Sequence, residues 1–531
     1  MGNPQYTQIL RIIQREGIAQ KQKRIGIEKK ARKQNMKKMK KVMALLLSLV
    51  MVLAMSVVAF AGEGSAGSSA PKITAPNNGH QYEIYQIFTG DYSKGTLSNV
   101  KWGKNGTGKL GETVADDVIT ALTNVKDKTD REKLDVIKNY ANLSTPVATI
   151  KDGNSYTGEA GYYLIKDKDD SVTGTNSSYT LYIVKVVGDI TIQPKSDVPS
   201  FEKKVMDTND TTGETSGWQD SADYDIGDDV PFQLKGTVSA KYDDYKTYYF
   251  AFHDVEEKGL TFNPDSVVVK VDGNKIDAGY DLVTSTTDGC TFEVVFNNLK
   301  NVTSVTAGSV ITVEYTSKLN ANAKLRQQGN VNKAKLEFSN NPNSEQEGKP
   351  DKPGETPWDN VIVFTYKVVV NKYANQISAT TKLAGAEFTL KKKMKDGSFK
   401  DITVVKSEDG TSFTFSGLDD GEYILEETKT PAEYNTIAPM TFKVTANHDI
   451  LWTTAKRTDV LTNLSGEKVS GEITLTPTDD KSTLSTDVIN KSGSTLPTTG
   501  GMGTTIFYVV GSILVLGAAI LLITKKRMSA R

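Results

Sequence analysis

The chain has 531 residues, 64 Lys plus Arg balanced by 64 Asp plus Glu, one cysteine and three histidines. Zero net charge gives no electrostatic footprint for nucleic acid, and one cysteine rules out an internal disulfide framework. The length corresponds to two to four domains once both ends are set aside.

Residues 1–35 are basic, lack an apolar face and precede a second methionine, Met36. They are read as an upstream extension outside the folded protein. "MKKMKKVMALLLSLVMVLAMSVVAFAGE" follows, with a lysine-rich start, an apolar core from Val42 to Phe60 and small residues at Ala59 and Ala61. That is the plan of a secretory signal peptide over 36–61, cut after Ala61. If it were retained, it would be an N-terminal membrane anchor instead. An exported chain of this size without disulfides needs another brace.

A first module is expected over 72–197. Helical periodicity is confined to "ETVADDVITALTN" and "DREKLDVIKNYANL", within 112–143. Elsewhere, stretches such as "YTLYIVKVVGDITIQPK", "VITVEYTSKL" and "TYKVVVNKYANQ" alternate with period two and break at Gly, Asn and Asp, as strands do. Strand clusters at this spacing predict a mainly β chain of tandem sandwich modules. "PKSDVPS", 194–200, separates the mixed first module from an all-β second one over 199–345. "DTNDTTGETSGWQDSADYDIGDD", 207–229, lacks the glycine spacing of a calcium loop and is expected as a solvated loop. A proline-rich, charged stretch predicts a linker over 346–358, and a third module follows over 359–492.

Conventional enzyme chemistry finds no support. HExxH, CxxC, GxSxG and a Gly-rich phosphate loop are all absent, and His80, His253 and His448 are far apart. Cys290, in "DGCTFEVVF", is expected as a small buried residue rather than a reactive thiol. No cofactor and no metal are expected.

The second and third modules share a constellation. In "PSFEKKV", Phe201, Lys203 and Val205 share a strand face, which aims Lys203 inward. In "YYFAFHD", Asp254 is in phase with Phe250 and Phe252, and in "AKLEFSNNP", Asn340 is in phase with Leu336 and Phe338. The third module repeats the scheme with Lys372 in "KVVVNK", Glu427 in "GEYILEET" and Asn490 in "DVIN". A buried lysine, acid and amide can simply form a hydrogen-bonded ion pair. Burial also lowers a lysine pKa and raises that of a carboxyl group, by up to roughly 3–5 units. The neutral amine can then attack the asparagine Cγ while the acid passes a proton to the departing ammonia. Repetition of the trio favours this second reading: Lys203–Asn340 and Lys372–Asn490 isopeptide bonds, promoted by Asp254 and Glu427.

At the end stand "LPTTG" (Leu496, Pro497, Thr498, Thr499 and Gly500), an uncharged stretch at 506–523 and a basic tail at 525–531. Eighteen helical residues cover roughly 27 Å, enough to cross a bilayer core. The Lys525–Lys526–Arg527 cluster fits the cytoplasmic side.

From residue 36 onward the chain resembles the major, backbone-forming pilins of Gram-positive bacteria, built of immunoglobulin-like modules. "LPTTG" matches the sortase signal LPxTG. "YILEETKTPAEY" resembles the family's E-box, with Thr430 and Glu433 in place of its Ala and Gly. "LAGAEFTLKK" and "GLDDGEY" are similar to the terminal, collagen-adhesin B-type module, and "FHDVEEKGLTF" and "EFSNNP" to the middle one. "ITIQPKS" is similar to the VYPK pilin motif, with Gln193 in place of Tyr.

The resemblance implies cutting between Thr499 and Gly500 by a membrane-bound class C-type sortase. Thr499 would then be joined to Lys195 of another copy, making a covalent pilus shaft at the cell surface. Lys185 and Lys204 are the neighbouring alternatives to Lys195. Accessory or tip pilins, peptidoglycan and a host-surface ligand are the further implied partners. Joined instead only to cell-wall peptide, the protein would be a monomeric adhesin; a secreted cell-wall enzyme lacks any catalytic constellation.

Overall fold

The computed structural model describes residues 70–493, with short breaks at 94–95, 126, 129, 173–176, 194–196, 453–459 and 480, and residues 509–516 and 518. The chain is mainly β and divides into two compact units. Among the described residues, one comprises 70–205, 229–318 and 331–361; the other comprises 206–228, 319–330 and the residues from 362 onward.

In the first unit, the alternating apolar residues of Gln81–Ser93 make it the centre of a five-stranded sheet, flanked by Thr96–Trp102 and Gly161–Asp167. The two expected helices form as Asp116–Asn124 and Asp130–Lys138. Their apolar faces, with Val118, Ile119, Leu122 and Ile137, cover Tyr85, Phe88 and Trp102. The opposite sheet face packs Tyr82, Ile84, Tyr163 and Ile165 under a small sheet formed by Lys72–Thr74, Ser155–Thr157 and Ile190–Thr191. Among the described residues, this N-terminal part buries no lysine.

The same unit contains a sandwich. One sheet orders Ser200–Thr208, Asp229–Thr237, Val310–Leu319 and Leu260–Val271; the other orders Asn330–Phe338, Phe250–Glu256, Phe292–Phe296 and Asp281–Val283. Part of the expected linker is also sheet, because Gly354 and Glu355 pair with Phe338 and Glu337. Glycine is needed there. A Cβ on Gly354 would lie 2.5 Å from the Phe338 ring and 3.0 Å from the Asn340 Cβ.

The second unit is another two-sheet body. Tyr366–Ala374 sits between Ser412–Leu418 and Thr483–Asn490, and it runs parallel to the latter. The facing sheet centres on Gly421–Lys429, between Glu387–Lys393 and Met440–His448. Residues 206–228 and 319–330, expected within the second module, cluster here.

Among the described residues no helix is long and apolar enough to cross a membrane. Of the expected span, 509–516 is described and is helical. The signal peptide, Lys195, Leu496, Pro497, Thr498, Thr499 and Gly500 lie outside the described residues.

Candidate functional site: two buried lysine–acid–asparagine clusters

Period-two alternation sends Lys203 into the sandwich from one sheet and Asp254 from the other, and both side chains are fully buried. The lysine Nζ donates to Asp254 Oδ2 at 2.6 Å and to the Tyr315 hydroxyl at 2.8 Å. That hydroxyl donates to the same carboxylate oxygen at 2.8 Å. Aromatic rings wall the amine, which lies 5.2 Å from the Phe232 ring centre and 5.3 Å from that of Tyr315.

Burial pulls the Lys203 pKa below its ordinary value, although Asp254 opposes the shift. Burial likewise pushes Asp254 up against the pull of Lys203. Both shifts favour the pair in which the amine is neutral and the acid protonated. A second carboxyl group, Glu256, is pushed up to about 8 by burial and by Asp254.

The asparagine beside this pair is Asn332, not Asn340. Cross-strand register sets Asn332 opposite Glu256 and Ala334 opposite Asp254. Asn332 Nδ2 donates to the Tyr315 hydroxyl at 2.9 Å and to Glu256 Oε1 at 3.3 Å, and its buried Oδ1 has no partner. Asn340 lies two residues past Phe338, which pairs with Phe250. Six positions separate it from the Asp254 level, four of them in the strand, which at strand rise puts it more than about 10 Å away. Phase alone could not distinguish the two amides. Tyr315, Glu256 and Asn332 were missed in the sequence, although Tyr315 alternates in phase with Ile311 and Val313 in "VITVEYTSKL".

In the second unit the three expected residues stand together. Lys372 pairs with Val488, and Ala374 with Asn490, across the parallel strands. Lys372 and Asn490 therefore point from one sheet into the core, where Glu427 meets them from the other. Lys372 Nζ is 3.5 Å from Glu427 Oε1, and both side chains are fully buried. Asn490 Nδ2 donates to Glu427 Oε2 and to the Asn435 carbonyl, each at 2.9 Å. Thr430 Oγ1 holds the same carboxylate oxygen at 3.1 Å. Lys372 Nζ, Glu427 Oε1 and Asn490 Oδ1 are all buried without a hydrogen bond. Burial lowers the Lys372 pKa, with Glu427 pulling the other way.

The acidic 207–229 stretch is not a solvated loop. Asp220, Asp223 and Asp225 are buried, and the second unit supplies cations to part of the stretch. Lys392 Nζ lies 3.2 Å from Asp225 and 3.3 Å from Asp210, and it also contacts Asp419. Lys400 Nζ lies 2.9 Å from Asp228.

Residues 366–458 match the SpaA prealbumin-like fold domain, and residues 489–529 match the LPXTG cell wall anchor motif. The chain is 26% identical over 399 residues to the trypsin-resistant surface T6 protein of Streptococcus pyogenes serotype M6, covering 63% of this chain and 70% of that protein. Among solved structures it is similar to the T6 backbone pilin of serotype M6 Streptococcus pyogenes (TM-score 0.47, 18% identity, 81% of this chain and 100% of that one). It is also similar to the full-length major pilin SpaD of Corynebacterium diphtheriae (TM-score 0.44, 17% identity, 80% and 98%).

Proposed function

We propose that this chain is a Gram-positive backbone pilin, the repeating shaft subunit of a covalent pilus anchored to the cell wall. The observation that carries this reading is the order of parts at the C-terminus, where a prealbumin-like domain at 366–458 is followed by an LPXTG anchor at 489–529. Sortase cleaves the Thr499–Gly500 bond, and the threonyl group passes to Lys195 of the next copy. Joining one end of a subunit to a different surface on the next is a heterologous contact, which propagates as an open filament. The described residues that flank this lysine in the sequence make fixed contacts. Ile192 N donates to Thr74 O at 2.8 Å, and Asp197 Oδ2 accepts from Ser239 Oγ at 3.0 Å.

Inside each subunit, Lys203 bonds to Asn332 and Lys372 to Asn490. The neutral amine attacks the asparagine Cγ and a new C–N bond forms. The acid, Asp254 or Glu427, gives its proton to the departing Nδ2. The Cγ–Nδ2 bond breaks and ammonia leaves. The proton lost by the lysine nitrogen restores the acid. In the first cluster Tyr315 bridges Asp254 and the leaving nitrogen, so its hydroxyl relays the proton. The Lys372 amine, 3.5 Å from Glu427 but without a hydrogen bond, supports the nucleophilic role, because its burial carries a desolvation cost that bond formation removes.

The experiment is denaturing electrophoresis of cell-wall extracts from cells that carry the cognate sortase. A covalent ladder that disappears in Lys195→Ala supports the shaft role. A single wall-linked species in the unaltered protein would favour the monomeric adhesin instead.

A further inference from the structure

His253 and Asp254 are neighbours on one strand and face opposite ways. While Asp254 enters the sandwich, His253 lies on the outer face, yet it is only 1% exposed. The turn Asp288–Gly289–Cys290 covers it, and Glu293 sits directly opposite on the paired strand. Gly289 takes φ +87°, which suits glycine, and Cys290 N donates to Asp288 Oδ1 at 3.0 Å. That leaves Asp288 Oδ2 facing the imidazole.

The result is a mixed donor set around one nitrogen. His253 Nδ1 is 3.3 Å from Asp288 Oδ2, 3.4 Å from Glu293 Oε1 and 3.7 Å from Cys290 Sγ. All four donor atoms lie within 4.8 Å of one another. A single N–H can align with only one of three such acceptors. By contrast, ligands about 2.0–2.1 Å from a tetrahedral metal stand about 3.3–3.4 Å apart, and a sulfur at about 2.3 Å stands about 3.5–3.6 Å from its neighbours. On the far side of the ring, Glu337 Oε2 is 3.2 Å from His253 Nε2, and the buried Nε2 makes no aligned hydrogen bond. A carboxylate behind the distal nitrogen is the usual support of a metal-bound histidine. Lys335 and Lys349 fix that carboxylate at 3.1 and 2.6 Å.

We infer that His253, Asp288, Cys290 and Glu293 form a structural site for a divalent transition metal of zinc type, with Glu337 orienting the imidazole. One nitrogen, one sulfur and two oxygens suit zinc better than calcium or magnesium, which prefer all-oxygen shells. On binding, Cys290 loses its S–H proton to solvent and an S–metal bond forms. The metal clips the 284–291 turn onto the strand that carries Asp254, which braces a chain that has no disulfide. The absence of a metal motif in the sequence follows from the spacing: His253 comes from one strand, and the other three donors lie 35 to 40 positions later.

The test is titration of the purified full chain, thiol reduced, with cobalt(II) and then zinc(II) chloride. The expected result is one cobalt per chain with a thiolate-to-metal charge-transfer band. Zinc should displace the cobalt and slow alkylation of Cys290 at least tenfold. Cys290→Ser should abolish the band. Glu337→Gln should weaken zinc binding by about 10–100-fold while circular dichroism keeps its β signature. Asp288→Asn, at the part-exposed turn, should weaken binding without disturbing the fold. A folded chain that shows no charge-transfer band and unchanged alkylation would overturn the site. The same geometry would then be a buried histidine packed among Asp288, Glu293 and Glu337 without a metal.

Discussion

Asn332, Ala334, Leu336, Phe338 and Asn340 share one phase of alternation, so pattern reading cannot choose between the two asparagines at the ends of the run. Register decides, because only Asn332 stands at the level of Glu256, next to Asp254. If the proposed bond forms, Asn332→Ala should retain the mass of one ammonia that the parent chain would lose, while Asn340→Ala should leave the bond in place. Intact mass of the two variants separates them, and the opposite pattern would restore Asn340. Asp254→Ala and Glu427→Ala should each restore one ammonia independently, since the clusters lie in different units. Tyr315→Phe keeps the ring packed against Lys203 but removes the relay, so the bond should form more slowly in freshly unfolded and refolded chain. A rate equal to the parent's would remove Tyr315 from the mechanism. The lysines and acids were legible because one buried charge in an apolar alternation is conspicuous. The tyrosine was not, since a phenol in a core strand resembles any other aromatic residue.

At the level of elements, alternation disclosed the strands and the two helices but not which segments fold against which. The 207–229 stretch reads as solvated because it is polar. The structure instead offsets part of its charge with Lys392 and Lys400, contributed by two paired strands far along the sequence. Some of its acids remain poorly compensated. Asp207, and Asp420 packed beside the stretch, are pushed up to about 8, chiefly by burial and then by the nearby Asp223. His448 Nε2 stands 3.5 Å from Asp223. Carboxyl groups in the unfolded chain titrate near 4, so the folded state holds these protons more tightly. Their stabilisation is complete below about pH 4 and is lost as pH rises toward about 8. The unfolding transition of this unit should move up on acidification from pH 8 to 5, and Asp420→Asn should flatten the dependence. A transition that moved down would contradict the assignment. In the other unit, Gly354→Val drives a side chain into Phe338 and should cost about 1–3 kcal/mol in denaturant unfolding.

For the molecule as a whole, each proposed cross-link would close a loop of roughly 120–130 residues, and by analogy with a disulfide would add on the order of 4–5 kcal/mol. In the C-terminal unit the bond would tie adjacent parallel strands, one opening and one closing the module. Tension applied through the chain would then pass between those strands and leave the module body unloaded. Glu427→Ala should accordingly lower the thermal midpoint and open the unit to trypsin, while parent-like resistance would show that the bond is not its source. The C-terminal anchor, matched over residues 489–529, was the most legible region, since an anchor is a linear signal read before it is folded. The most direct measurement of the shaft role is tandem mass spectrometry of the high-molecular-weight material from the cell wall. The account predicts a peptide in which the Thr499 carbonyl is amide-linked to the Lys195 side chain of another copy. Thr499 found only on cell-wall peptide, with no linkage between copies, would contradict it.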